Sequence, residues 1–228
     1  METTERFPPK ILLMSYSSIA RFYKLIESVT IGRPLLDARL AHLKRLAEGP
    51  AIQHALLVGE GNGSFLLPFA QQFPNTLITV LDESPAMLRV AQNRLKAAGI
   101  DTARITFRQA DMTTEQLPEG RYDLIVTLFF FDNFDAATVQ QIVPALEHAS
   151  SPSAQWILSD FQIPASGWRR LRARIWLTIL YAFFRCVAKI PARTVPPAEA
   201  ILATTSFKQV ARKTYSAEML YSTLYERV

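Results

Sequence analysis

Four carboxylates stand where chemistry is most easily done, each at or just beyond the end of a predicted strand: Asp82 after Leu77 to Leu81, Asp111 after 105–109, Asp132 after Leu124 to Phe129, and Asp160 after Trp156 to Ser159. A carboxylate at a strand end offers two acceptor oxygens, enough to bind a diol or an amino group or to take up a proton. A fifth feature points to a ligand. In Ala55-Leu56-Leu57-Val58-Gly59-Glu60-Gly61-Asn62-Gly63-Ser64-Phe65 an apolar run meets three alternating glycines and opens into a helical stretch. Such a turn lets the backbone approach a ligand closely, and the N–H groups of the helix start point at what binds there. Asp82 follows at the separation, about twenty residues, at which a βαβ unit places an acceptor for ribose hydroxyls. The ligand implied is derived from a nucleoside.

The elements that must hold these residues follow from the pattern of apolar runs. Strands are predicted at 55–58, 77–82, 105–109, Leu124 to Phe129 (opened by Tyr122-Asp123) and Trp156 to Ser159, alternating with helices at 64–73, 85–97 and Ala136 to Glu147. Ser84 caps the second of these helices with Pro85 at its first position, while Pro144 threatens to kink or shorten the third. This alternation predicts a parallel, doubly wound sheet. Ahead of it, Tyr16 to Ile26 and Leu35 to Leu46 read as two helices separated by Gly32-Arg33-Pro34. Behind it, Trp168 to Lys189 reads as one long helix with Trp168, Leu171, Ile175, Ile179 and Ala182 as an apolar stripe. Phe207 to Thr214 and Met219 to Tyr225 read as a terminal hairpin.

Composition sets the limits. With 228 residues, 49% of them hydrophobic, the chain is long enough for one sizeable α/β core and cramped for two. Its one cysteine, Cys186, forms no internal disulfide and reads as a buried thiol; with an acidic, polar start it makes cytoplasmic location the expectation. The net charge of +5 is local. Phe161 to Ala198 holds no acid but seven basic residues, leaving 18 basic against 20 acidic residues elsewhere. That balance excludes a nucleic-acid partner for the body of the protein, while the basic helix over 168–190 is suited to peripheral contact with an anionic membrane. His42, His54 and His148 are scattered, and no metal-ligand spacing is visible.

In order and spacing these pieces resemble the class I S-adenosylmethionine-dependent methyltransferases. Leu57 to Gly63 is similar to that family's first motif, Val80 to Leu88 to its second, and Gln109-Ala110-Asp111-Met112 to its third. The resemblance implies that Gly59, Gly61 and Gly63 carry the methionine part of the cofactor and that Asp82 accepts the ribose hydroxyls with Glu83 and Met87 beside the adenosine. It further implies that Asp111 and Met112 read the adenine, with Leu128 completing the set. The acid usual two residues before the first glycine is Leu57 here; Glu60, inside the turn, is expected to take over part of its role. A nicotinamide-dependent dehydrogenase shares the strand, the glycines and the acid, but the third glycine of its fingerprint is missing, since Ser64 and Leu66 follow Gly63.

More loosely, Tyr16 to Tyr23 resembles a stretch before the core of ubiquinone and menaquinone C-methyltransferases, and Leu158 to Pro164 resembles their fifth strand. The P-G-G turn before that strand is replaced by Ser150-Ser151-Pro152-Ser153, read here as a loop. The expected architecture is a Rossmann-like, seven-stranded, mostly parallel sheet with an antiparallel last strand, helices on both faces and a helical cap. It is expected as one domain: a lid over 1–50, a cofactor-binding core over 51–164, a cap helix over 165–200 and a hairpin over 201–228. The expected reaction is methyl transfer from S-adenosylmethionine to oxygen or carbon of a small apolar acceptor, aromatic, quinone-like or prenylated. Asp132, Tyr23 and Asp160 are the candidate catalytic groups, and Tyr16, Phe131, Trp168 and Tyr181 the candidate acceptor contacts. Two other readings use the same fold: an isomerisation or cyclisation steered by the cofactor's charge, and a membrane-associated binding protein without catalysis.

Overall fold

The computed structural model describes residues 32–188 and 194–228, with side chains omitted over 183–188. Seven strands form one sheet: β1 (His54–Val58), β2 (Leu77–Asp82), β3 (Ile105–Gln109), β4 (Tyr122–Leu128), β5 (Ser150–Phe161), β6 (Phe207–Tyr215) and β7 (Leu220–Arg227), in the order β3-β2-β1-β4-β5-β7-β6. β1 to β5 run parallel, and β7 inserts antiparallel between β5 and β6. The sequence places β1 at the centre, because Ala55 to Val58 are all apolar and only a strand covered on both faces buries such a run.

Helices provide the cover. α1 (Gly32–Arg39) and α2 (Leu43–Ala47) precede β1; α3 (Leu66–Gln72) and α4 (Pro85–Ala97) follow β1 and β2. α5 (Ala136–Ala149), α6 (Gly167–Ala188) and α7 (Ala198–Leu202) complete the set. On one face Leu57, Phe65, Phe69, Leu88, Ala91 and Leu95 form a core; on the other Leu56, Ile125, Trp156, Val139, Ile142 and Leu146 form a second. The expected N-cap at Ser84 is made, its hydroxyl accepting from the Met87 amide at 3.3 Å, and Asp135 caps α5 in the same way at 2.8 Å. Asp123 ties the amino end of the sheet together by accepting from the amides of Gln53 and His54, each at 3.0 Å, and from the Ser151 hydroxyl.

Several expectations are corrected. The single helix over Leu35 to Leu46 is two, and Gly32-Arg33-Pro34 lies inside α1, because a helix tolerates proline in its first turn. The chain turns at His42, whose buried ring reaches the Ser222 carbonyl at 3.0 Å. Ser150 to Ser153 is strand and not loop, since Tyr122 pairs with Ser150 across β4. α5 runs through Pro144 to Ala149. The stripe of Trp168, Leu171, Ile175 and Ile179 is exposed, by 54% to 66%; α6 packs instead through Ala173, Leu177, Leu180 and Tyr181 on Phe161, Met219 and Leu220. From Ile175 onward α6 is apolar on more than one face, so periodicity alone did not select the buried one. Among the described residues, no helix is long and apolar enough to cross a membrane. Tyr16, Tyr23 and the helix read over Tyr16 to Ile26 lie outside the described residues, as does the side chain of Cys186.

Candidate active site

β1 and β4 are neighbours whose following connections leave toward opposite faces, which opens a crevice at their carboxyl ends. Gly59 has φ +65° and faces Phe130 from the loop after β4: a Cβ at Gly59 would lie 2.5 Å from the Phe130 ring. The two loops are therefore locked together by a contact only glycine permits. Gly61, at φ +67°, differs. A Cβ there meets nothing within 4 Å, so the turn presents bare backbone to open space. Gly63 lies against Ala91 of α4.

Two side chains hold this turn. Asp82 accepts from the Gly61 amide through Oδ2 and from the Ser84 amide through Oδ1, both at 2.9 Å. Burial pushes its carboxyl above the usual range, against the pull of those two amides. Each oxygen keeps a lone pair for a ligand hydroxyl. Glu60 is buried beneath the turn, and its Oε1 accepts from the amides of Phe65 (2.9 Å) and Leu66 (3.0 Å), at the start of α3. One of its carboxylate oxygens is thus committed to orphan amides at a helix start. Desolvation raises the Glu60 carboxyl, opposed by the charge of Arg39 and by those amides.

The remaining predicted cofactor residues flank the turn. Asp111 is exposed and accepts through Oδ1 from the Thr113 amide (2.8 Å) and hydroxyl (2.7 Å). Met112 and Leu128 are buried, Met87 is half-buried and Glu83 is exposed.

The end of β4 holds one of the four non-glycine residues with left-handed backbone among the described residues. Phe129 takes φ +56°, a left-handed conformation costly for any residue but glycine, while its amide donates to the Ser159 carbonyl at 2.7 Å. The turn that follows sets Asp132 against Asp160 of β5, the Asp132 amide donating to Asp160 Oδ2 at 3.2 Å. Asp160 Oδ1 accepts from the Phe161 amide at 2.7 Å. Burial pushes the Asp132 carboxyl up to about 7, against the nearby Arg39 charge. Asp160 is raised well above the carboxylate range by burial first and by Asp132 second. Because each charge raises the cost of the other, the two acids resist ionising together. Tyr181 of α6 is buried beside them; its hydroxyl has no hydrogen-bond partner among the described residues, and burial and the two acids raise it further. Opposite Asp160 across the sheet stands Tyr221, with the Arg212 guanidinium 4.7 Å from its ring centre and paired to Glu199.

So the structure brings Asp132, Asp160 and Tyr181 together and leaves two other predicted acceptor contacts aside. Phe131 is core, 1% exposed between Phe130 and the residues of α5, because the turn swings it inward. Trp168 is 66% exposed at the start of α6. Phe161 and Arg39 went unpredicted, while Phe129 was expected only within the run Phe129-Phe130-Phe131, as core and pocket wall. Phe129 and Phe161 meet edge to face at 5.3 Å, and Arg39 of α1 lies 5.1 Å from the Phe129 ring centre. Phe129 was visible in sequence as one of three consecutive phenylalanines; Arg39 carries no local signal.

The fold and the crevice define the class: a doubly wound sheet whose first turn and second strand end are arranged for a nucleoside ligand. Residues 55–152 match the family model for the methyltransferase domain. Demethylmenaquinone methyltransferase of Thermus thermophilus is 25% identical over 169 residues, 74% of either chain. Malonyl-[acyl-carrier protein] O-methyltransferase of a Paenibacillus species is 35% identical over 88 residues, 37% of this chain and 31% of that one. Among solved structures, N-methyltransferase NodS of Bradyrhizobium japonicum with S-adenosyl-L-homocysteine superposes with a TM-score of 0.64 at 18% identity, over 93% and 97% of the two chains. An O-methyltransferase family 2 protein of Planctomyces limnophilus, in complex with apigenin, gives 0.68 at 18%, over 95% and 63%. Residues 55–152 thus carry a methyltransferase domain, and the fold is shared with solved methyltransferases, one of them bound to S-adenosyl-L-homocysteine; the cofactor these findings support is S-adenosylmethionine.

The residues fit that cofactor. Gly61 leaves a cradle that a Cβ would enter, Asp82 keeps acceptor capacity at the mouth, and the buried Ser64 hydroxyl in the turn has no partner among the described residues. Bound there, the cofactor supplies a sulfonium methyl already activated for transfer.

Proposed function

We propose that this methyltransferase acts on oxygen or carbon of a small apolar acceptor, aromatic or quinone-like, and that Asp132 and Asp160 together receive the acceptor's proton. The observation that carries the reading is the contact between the two carboxyl-bearing residues at the carboxyl ends of β4 and β5, next to the glycine turn. Asp132, its carboxyl pushed up to about 7, is ionised enough at neutral pH to take a proton from a hydroxyl or an activated carbon. Phe129 and Phe161 form the apolar wall beside it, and Tyr181 has a hydroxyl free to orient an oxygen. Methyl transfer asks mainly for alignment, which the locked loops after β1 and β4 favour. The relatives named above act on demethylmenaquinone and on malonyl-[acyl-carrier protein], so the family tolerates varied acceptors.

The exposed stripe on α6 supports a place of work. Trp168, Leu171, Ile175 and Ile179, with Arg170 and Arg174 exposed beside them, form an apolar strip with a basic margin, suited to the interface of an anionic membrane where apolar acceptors dissolve. The deciding experiment is calorimetric titration of S-adenosylmethionine and S-adenosylhomocysteine, followed by a screen of phenols and quinols for S-adenosylhomocysteine release. Micromolar binding lost in Asp82→Ala, with turnover of a phenol or quinol, supports the reading; binding of both ligands without turnover of any oxygen or carbon acceptor refutes it.

A further inference from the structure

Arg39 is 9% exposed, and its Nε and Nη1 have no hydrogen-bond partner among the described residues. A buried guanidinium in that state is expensive, since each unpaired donor gives up its water without replacement. What surrounds it locates it. One face lies over Phe129, and its charge acts on Glu60 under the glycine turn and on Asp132 after β4. Neither acid forms an ion pair or hydrogen bond with it among the described contacts, and Glu60 Oε1 already serves α3. α1 itself is anchored: the Ser159 hydroxyl at the end of β5 donates to the Ala38 carbonyl at 3.3 Å, and His42 fixes the turn that follows. The guanidinium is therefore delivered to the seam between the glycine turn and the acceptor side by a helix packed on β6 and β7.

We propose that Arg39 binds the carboxylate of the methionyl end of S-adenosylmethionine through its guanidinium, whose Nε and Nη1 have no other partner among the described residues. The inference rests on the cofactor assignment and goes beyond it. The glycine turn offers backbone to the cofactor, and its two neighbouring acids, Glu60 and Asp132, repel a carboxylate; a cation at this seam is what makes the site accept one. Planar guanidinium and planar carboxylate match in the bidentate manner, which an ammonium cannot reproduce.

The test compares S-adenosylmethionine with decarboxylated S-adenosylmethionine, which keeps the adenosine, the sulfonium and the amine, by calorimetry on wild type, Arg39→Gln and Arg39→Lys. Wild type is expected to prefer the intact cofactor by about tenfold to a hundredfold, as a charge-assisted hydrogen-bonded pair supplies. In Arg39→Gln the two ligands should bind alike, through loss of affinity for the intact one only; undiminished binding of the decarboxylated ligand also reports a folded site. Arg39→Lys should recover part of the preference. Equal affinities in wild type, or a preference that survives Arg39→Gln, overturns the proposal while leaving the cofactor assignment standing. No binding of either ligand to wild type overturns both.

Discussion

Gly59 and Gly61 are two residues apart, share a left-handed backbone, and should fail in different ways when each is replaced by alanine. At Gly59 the new Cβ meets Phe130 Cδ2 at 2.5 Å and Cγ at 3.2 Å, against an ordinary contact of about 3.5–4.0 Å. Phe130 has little room to retreat, with the rings of Phe131 and Phe134 at 5.2 and 5.0 Å. Overpacking of this kind costs about 1–3 kcal/mol. Left-handed backbone at alanine adds about 1 kcal/mol, giving about 2–4 kcal/mol in all. At about 2–4 °C per kcal/mol for a domain of this size, Gly59→Ala should melt about 5–15 °C below wild type. Gly61→Ala bears only the backbone penalty, about 1 kcal/mol or 2–4 °C, because its Cβ enters open space. That space is the cradle of the cofactor, so Gly61→Ala should lose affinity for S-adenosylhomocysteine out of proportion to its small loss of stability.

Differential scanning calorimetry and titration calorimetry on the two variants separate the effects. A further control is Gly59→Ala combined with Phe130→Leu, which removes the clashing ring and should regain part of the melting temperature. The reasoning is refuted by a Gly59→Ala protein that melts with wild type, or by a Gly61→Ala protein that binds the ligand unimpaired.

Removing the proposed base by Asp132→Asn should slow transfer to a hydroxyl acceptor by about 10²–10⁴-fold and abolish the rise of rate with pH that wild type should show up to about 7; an unchanged pH profile contradicts the assignment. The stability sign is fixed as well: these carboxyls are raised on folding, so the pair's contribution is fullest below the unfolded value near 4 and is lost as pH climbs through the raised folded values. Asp160→Asn, which cannot ionise, should therefore gain on wild type in melting temperature from pH 4 to pH 8. Liposomes rich in anionic lipid should retain wild type at low salt, and charge reversal at Arg170 and Arg174 should release it; passage of wild type with the unbound fraction would remove the membrane from the picture.

What the sequence made legible is what short-range pattern encodes. The glycine turn, Asp82 and the five parallel strands each declare themselves within a window of ten residues, and the order of those windows gives the sheet. Asp132 and Asp160 could be flagged one by one as acids at strand ends; that the Asp132 amide meets the Asp160 carboxylate depends on β4 and β5 being neighbours in register, Leu128 opposite Ser159. Ser150 to Ser153 looked like a loop because serine and proline favour turns, and only pairing with β4 overrides that preference. Arg39 was illegible for a stronger reason. On a short helix rich in charge, an arginine is normally solvated, and nothing local marks the one whose helix is pinned to β6 and β7.

Rigidity and adaptability are divided within this site. The loops after β1 and β4 are fixed against each other by the Gly59–Phe130 contact, and the Phe129 amide is tied to β5. A left-handed phenylalanine persists only where its surroundings outweigh the strain, and here a T-shaped contact with Phe161 and a cation over its ring supply that. The same residue thus joins the cofactor turn, through its neighbour Phe130, to the acid pair, through Asp132 three residues on. A change that relaxes Phe129, such as Phe129→Gly, removes the backbone strain and also the ring under Arg39. If strain alone mattered, that variant would be more stable and equally active. Because the ring also positions the guanidinium, its fold should tolerate the change while its preference for the intact cofactor over the decarboxylated one narrows, which makes Phe129 a positioning residue for the carboxylate as well as a wall for the acceptor.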